Sequence, residues 1–327
     1  MKKFLALVFF LGISLTCYNP VESWGFFAHK KINRLAVFTL PPEMIGFYKR
    51  NIDYITEHAV DPDKRRYANK DEAPRHYIDI DHYSKDDPFK VMPRKWNDAV
   101  AKYSEDTLLS YGIVPWYIPR MVNRLTWAFK EGNVDKILYL SADLGHYVAD
   151  SHVPLHTTEN YDGQMTGQRG IHGFWESRLP ELFSADYDLL TGRAQYIDNP
   201  LDFAWNTVQA SHAEVDSVLS LEKALNKEFP TDQKYAYENR GQSTVKTYSE
   251  AYSEKYHKML NGMVERRMDK AIFAVGSFWY TAWVNAGQPN LDKLDNQEIS
   301  KAWKDTLAKE EKEYENRGKI YGREHTE

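Results

Sequence analysis

Gly145-His146-Tyr147-Val148-Ala149-Asp150-Ser151-His152-Val153-Pro154-Leu155-His156 gathers three imidazoles and one carboxylate into twelve residues ahead of a loop. Placed on a helix, His146 and Asp150 are four apart, so both project from one face about a turn apart, as two ligands of one metal must. Pro154 ends or bends that helix, and His156 is presented from its exit. Sixteen residues after His156, Gly170-Ile171-His172-Gly173-Phe174-Trp175-Glu176 repeats the device with His172 and Glu176. Two such pairs point to more than one metal.

The surrounding sequence is helical. From Asn97 to Leu144 apolar residues such as Val100, Leu108, Val122, Leu125, Phe129, Ile137 and Leu140 recur at helical spacings, with breaks at Gly112, Pro115, Pro119 and Gly132-Asn133. Those breaks predict consecutive helices with short connections, the third carrying His146 and Asp150. An amphipathic helix is predicted from Trp24 through Ile32, Leu35, Ala36 and Phe38, with His29 near its first turn. Leu201–Phe229 supplies another, and Thr244–Gly287 contains a long one whose Tyr and Met stripe belongs to a core rather than to a cofactor box. Convincing period-two alternation is nearly absent. The expected fold is all-α, a single mainly helical domain over 24–288 with its metal site between helices. From Pro289 the composition turns to charge, and 289–327 reads as an appended, weakly packed helical tail with a solvated face.

Met1-Lys2-Lys3 followed by the apolar run Phe4–Ile13 reads as a secretory signal peptide over 1–23, which places the protein in the periplasm or outside the cell. Val21-Glu22-Ser23 is an acceptable small-residue cleavage site, so the mature N-terminus falls at Trp24. The one cysteine, Cys17, leaves with the signal, and Ser14-Leu15-Thr16 is a poor approach to a lipid anchor there. Without cysteine, an exported chain is stapled only by packing or metal. Removing 1–23 takes away two lysines and one glutamate and moves the formal charge from −5 to −6. Such a mildly acidic chain lacks the basic field of a duplex-DNA binder, which leaves room for a small nucleotide held by metal. Neither a Gly-rich phosphate loop nor a G-x-S-x-G elbow occurs.

The candidate ligands are His29, Asp61, His76, His146, Asp150, His156, His172 and Glu176, with the α-amine and carbonyl of Trp24 available after cleavage. Asp61 opens Asp61-Pro62-Asp63, a turn from which a carboxylate is easily pointed at a ligand. Imidazole and carboxylate without thiolate suit zinc in hydrolytic sites, where a coordination position stays open. Two or three such ions close together clamp the attacking and leaving oxygens of a phosphate ester, so the implied chemistry is phosphoester hydrolysis. The competing reading is a non-catalytic helical surface protein with structural zinc, which needs closed sites of four protein ligands.

Trp24-Gly25 with His29 behind it, Asp61 fifteen before His76 in His76-Tyr77-Ile78-Asp79, His146-x3-Asp150-x5-His156 and His172-x3-Glu176 resemble the zinc-dependent phospholipase C and single-strand nuclease superfamily. The resemblance covers about residues 24–180 and implies three zinc ions. It implies one zinc on Asp61, His76, His146 and Asp150, a second on His156, His172 and Glu176, and a third on the Trp24 amine and carbonyl, His29 and a bridging Asp150. Asp61 would also orient or deprotonate the attacking water, and Lys64 or Arg65 would touch the phosphate. Glu176 matches the bacterial phospholipases, whereas the fungal nucleases usually end on Asp. Phe27 stands where choline-specific lipases carry an acid, and the nucleases' disulfides are missing. The expected substrate is a phosphodiester, a phospholipid head group at a membrane surface first and single-stranded nucleic acid or a nucleotide second. Phe26, Phe27, Tyr77, Tyr161, Phe174 and Trp175 suit either a quaternary ammonium or a stacked base.

Overall fold

The computed structural model describes residues 25–240, 243–294, 297–316 and 320–323. The signal peptide expected over 1–23, with its cleavage site and Cys17, lies outside them, as does Trp24.

The Val134–Ser151 helix is buried at every residue from Leu140 to Ser151. A helix covered on all sides forms the centre of a domain rather than its surface. Its start is set by Asn133, whose side chain accepts from the Lys136 amide at 3.0 Å. Pro154 stops it two residues after the His152 cap. The helices Gly25–Ala36, Val114–Glu131, Pro200–His212 and Met263–Asn285 pack around it. Gly145 admits the first of these unusually closely, since a Cβ there would fall 2.0 Å from Asn33 Oδ1. Asn33 in turn donates to the Ala142 carbonyl at 3.1 Å. This approach brings His29 onto His146, their rings stacked with centroids 4.0 Å apart.

The helical breaks differ from the expected ones in two places. Ser104, at φ 69°, divides the first stretch into Trp96–Tyr103 and Glu105–Tyr111, so the helix bearing His146 and Asp150 is the fourth of the series. Pro119 does not interrupt Val114–Glu131. It sits near the helix start, where its missing N–H forfeits one bond while Ile118, Met121, Val122 and Leu125 hold the helix in the core.

The fold is all-α apart from one two-stranded antiparallel hairpin among the described residues, Tyr235–Arg240 with Ser243–Tyr248, registered Tyr235 to Tyr248. Its alternation is short, which is why it is faint in the sequence. No helix among the described residues is long and apolar enough to cross a membrane.

The charged tail is helical over Lys301–Glu315 and exposed along most of its length, docked on the domain by one stripe. Tyr314 is buried with Phe26 and Val60, and Lys64 pairs with Glu311 at 2.6 Å. Trp303 donates to the Tyr54 hydroxyl at 3.2 Å. Trp303, Leu307, Glu310 and Tyr314 form the sheltered stripe of that helix, and charge on its other faces hides the spacing.

Candidate metal centre

Three donor groups converge among the described residues: His29, His146 and Asp150; Asp63, His76 and His146; and His156, His172 and Glu176. His146 Nε2 lies 3.0 Å from His76 Nδ1 and 3.3 Å from Asp150 Oδ2. Asp150 Oδ2 is 3.0 Å from His76 Nδ1, and its Oδ1 is 3.3 Å from His29 Nε2. One carboxylate therefore stands between two groups. Glu176 Oε2 lies 3.0 Å from His172 Nε2 and 3.2 Å from His156 Nε2. Glu176 rides a π-helical turn, Phe174–Arg178, directly after the single α turn Ile171–Gly173. Such wide turns re-aim side chains and recur at functional sites. Arg178 anchors this one by donating to the Tyr248 carbonyl at 3.2 Å and to Glu238 at 3.0 Å.

The imidazoles are oriented from behind. Nδ1 of His146 donates to the Ala59 carbonyl at 2.8 Å, Nδ1 of His156 to the His76 carbonyl at 2.7 Å, and Nδ1 of His172 to the Tyr161 carbonyl at 3.0 Å. A carbonyl only accepts, so these bonds keep the proton on Nδ1 and turn Nε2 to the cluster, as a metal ligand requires. His76 is reversed: Nδ1 faces the cluster and Nε2 lies 3.7 Å from Glu72 Oε1. Glu72 is fully buried and accepts from Arg75 at 2.6 Å and from the Tyr147 hydroxyl. Burial works to raise its pKa, but the His76 and Arg65 side chains outweigh this and hold the carboxyl well below the usual range.

The donor set fits a cation. Acceptor oxygens and ring nitrogens crowd together out of water, an arrangement that only protons or metal ions satisfy. In the protein itself, burial pulls the His146 and His156 imidazoles down, but the Asp150 carboxylate more than offsets it and holds each at about 9. Burial likewise raises Asp150 and Glu176, and the facing histidines overcome it and hold both carboxyls far below normal. Metal uptake here exchanges protons for the ion.

One expected ligand stands apart from the converging donors. Asp61 does not face His76 and His146; its Oδ2 accepts from His58 Nδ1 at 2.6 Å and its Oδ1 is 3.9 Å from Lys64. Asp63 takes that place, its Oδ1 3.6 Å from His76 Nδ1 and 3.8 Å from His146 Nε2. Both acids lie in the Asp61–Arg65 turn. Two residues along a helix is a rotation of about 200°, so only one of them can face the cluster. The expected phosphate contacts are not aimed at it either. Arg65 is partly buried and donates to Asp143 at 2.6 Å and Glu72 at 3.5 Å, while Lys64 donates to Glu311 at 2.6 Å. His152 is structural: Nδ1 donates to the Val148 carbonyl at 2.8 Å, and its own carbonyl accepts from Arg267 at 2.8 Å. Glu72 was not among the expected residues, although its four-residue spacing from His76 is the same helical signal that marks His146 and Asp150.

Imidazoles and carboxylates without thiolate, gathered between buried helices, are a donor set that suits zinc in a hydrolytic centre. Residues 28–239 match the family model described as zinc dependent phospholipase C, and the chain belongs to that family. The comparison with curated proteins gives no match.

Proposed function

We propose that the mature chain is an exported phosphodiesterase of phospholipase C type that works with three zinc ions. The observation that supports this most is Asp150, one carboxylate shared between His29 on one side and His76 with His146 on the other. Asp63, His76, His146 and Asp150 would hold one ion, His156, His172 and Glu176 a second, and His29 with Asp150 and the freed Trp24 amine a third. Zinc bound there lowers the pKa of water toward about 7 and draws charge from a phosphoryl oxygen.

The protein's own residues do the rest. Glu72 and the carbonyls of Ala59, His76 and Tyr161 fix the ring planes and tautomers. The Asp63 side chain is 24% exposed against 2% for Asp150, so Asp63 is the acid placed to take a proton from an incoming water. The His156 group offers only three side chains, which leaves coordination room for substrate and argues against a purely structural ion.

Zinc content measured beside hydrolysis of bis-p-nitrophenyl phosphate tests the phosphodiesterase reading. Bound zinc with no turnover would defeat it. Phosphatidylcholine assayed against single-stranded DNA, RNA and 3′-nucleotides tests the substrate. Preferential hydrolysis of the phospholipid is expected, and preference for nucleic acid would move the chain to the nuclease arm.

A further inference from the structure

Asp61–Arg65 is a single helical turn that carries two acids, and the fold chooses which of them meets the histidines. Counted at about 100° per residue from Asp61, Arg65 lies about 40° away on one side and Lys64 about 60° away on the other, whereas Asp63 lies about 200° round. Asp61, Lys64 and Arg65 therefore share a face, and Asp63 points away from it toward His76 and His146. The shared face is covered. It meets the Lys301–Glu315 helix, which lies outside the matched residues 28–239.

Two neighbouring carboxylates of that helix hold the two cations of the turn. Glu311 Oε2 accepts from Lys64 Nζ at 2.6 Å, and Glu310 Oε2 stands 3.9 Å from Arg65 Nη1. Arg65 Cζ lies 5.3 Å from the Tyr139 ring centroid, and Trp303 of the same tail helix packs edge-on against that ring with centroids 5.0 Å apart. The other arms of the guanidinium reach Asp143 at 2.6 Å and Glu72 at 3.5 Å. Glu72 stands behind His76, so one arginine connects the tail to both Asp63 and His76, two donors of one metal position. Asp61 is held on the covered side by His58 at 2.6 Å; the His58 ring lies 4.0 Å from that of Tyr54, whose hydroxyl accepts from Trp303. An isolated turn makes too few backbone bonds to fix itself, so its rotation is set by what its side chains grip.

We propose that Glu310 and Glu311 are positioning residues of the metal centre: by holding Arg65 and Lys64 they fix the rotation of the Asp61–Arg65 turn, so that Asp63 and not Asp61 faces His76 and His146. The role given to the two glutamates rests on Asp63 as a zinc ligand of the proposed centre; the grip itself rests on the contacts. The C-terminal helix is then part of the metal site although none of its residues touches the ion.

Zinc affinity of the full mature chain, measured by competition with a chromogenic chelator, tests the grip without reference to turnover. Glu310→Gln combined with Glu311→Gln keeps the volume of both side chains and removes their charge. It is expected to weaken one zinc of the parent's complement roughly tenfold, the lower end of what losing a ligand-orienting group costs, and to leave the others unchanged. In an Asp63→Asn background the same pair should cost nothing further, because that position is already lost. Glu311→Lys alone should weaken the same zinc, and Lys64→Glu added to it should restore the affinity, a rescue that a general loss of stability does not give. Asp305→Asn, which breaks an exposed pair with Lys301 on the same helix, should change nothing. Circular dichroism establishes that each variant is folded. Parent-like affinity for every zinc in the folded Glu310→Gln, Glu311→Gln chain would overturn the positioning role, and so would an equal loss in the Asp63→Asn background. Zinc retained in full by Asp63→Asn itself would instead defeat Asp63 as a ligand, and the positioning role with it.

Discussion

Replacing Asp150 by Asn is expected to weaken two metal positions in a single step. The substitution is nearly isosteric, so the helix keeps its packing, but it removes one negative charge and turns an N–H donor toward ring lone pairs. The carboxylate lies 3.0 Å from His76, 3.3 Å from His146 and 3.3 Å from His29, and its side chain is only 2% exposed. Solvent therefore screens little of the loss. Losing a residue that merely orients a ligand costs about 10–100-fold in metal affinity. Losing a ligand that serves two ions sets the upper figure as a floor, roughly 2.8 kcal/mol at each position. In the zinc-free chain the change breaks a buried charge cluster, a loss of order 3–5 kcal/mol. That loss is reduced because His146 and His156 give up their protons when the carboxylate that holds them at about 9 is gone. The assay is zinc per chain after dialysis against buffered zinc, measured beside turnover of bis-p-nitrophenyl phosphate. Only the His156, His172 and Glu176 position should stay filled, with turnover down at least 100-fold, as the lost affinity implies. A full complement of zinc with unchanged turnover would refute the bridging role.

Three further perturbations probe other parts of the centre. Asp63→Asn should empty the His76 and His146 position while Asp61→Asn leaves zinc content intact; the reverse pattern would restore Asp61 as the ligand. Glu72→Gln, which removes the charge behind His76, should weaken zinc about 10–100-fold without altering the His156 group, as competition with a chromogenic chelator would show. Burial, aided by the Arg267 guanidinium, presses the His152 imidazole down to about 3, against about 6.5 in the unfolded chain. Below pH 6.5 the unfolded state then binds more protons, so this contribution is intact above that pH and is lost by about 1.4 kcal/mol per pH unit down to about pH 3. Unfolding free energies from urea titrations at pH 7 and pH 5 should differ by about 2 kcal/mol more in the parent than in His152→Gln; identical pH dependence in the two would sink the assignment.

Much of the centre was legible because it is written in local spacing. His146 with Asp150 and His172 with Glu176 are helical pairs, and a period of four survives any tertiary arrangement. Asp61 against Asp63 was not legible, since both sit in one Asp-Pro-Asp turn and only the rotation of that turn relative to His76 chooses between them. Lys64 or Arg65 was expected on the phosphate from the resemblance, which gives a position but not its partners; in the fold Arg65 is committed to Asp143 and Glu72 and Lys64 to Glu311. The tail's solvated face was legible, but its docking stripe was not, since exposed charges outnumber the few apolar residues that dock it. The hold of Glu310 and Glu311 on the Asp61–Arg65 turn was beyond reach, because Lys64 and Arg65 lie far away from them in the chain. The helical class needed no such long-range information, since the periodicity around Val134–Ser151 and Met263–Asn285 already excluded a sheet-based core.

An anomalous difference map collected at the zinc edge from crystals of the mature protein bears most directly on the trinuclear centre. Three peaks are expected: one among Asp63, His76, His146 and Asp150, one among His156, His172 and Glu176, and one between His29 and Asp150. A map with no peak at these residues, or with zinc bound elsewhere on the chain, would contradict it.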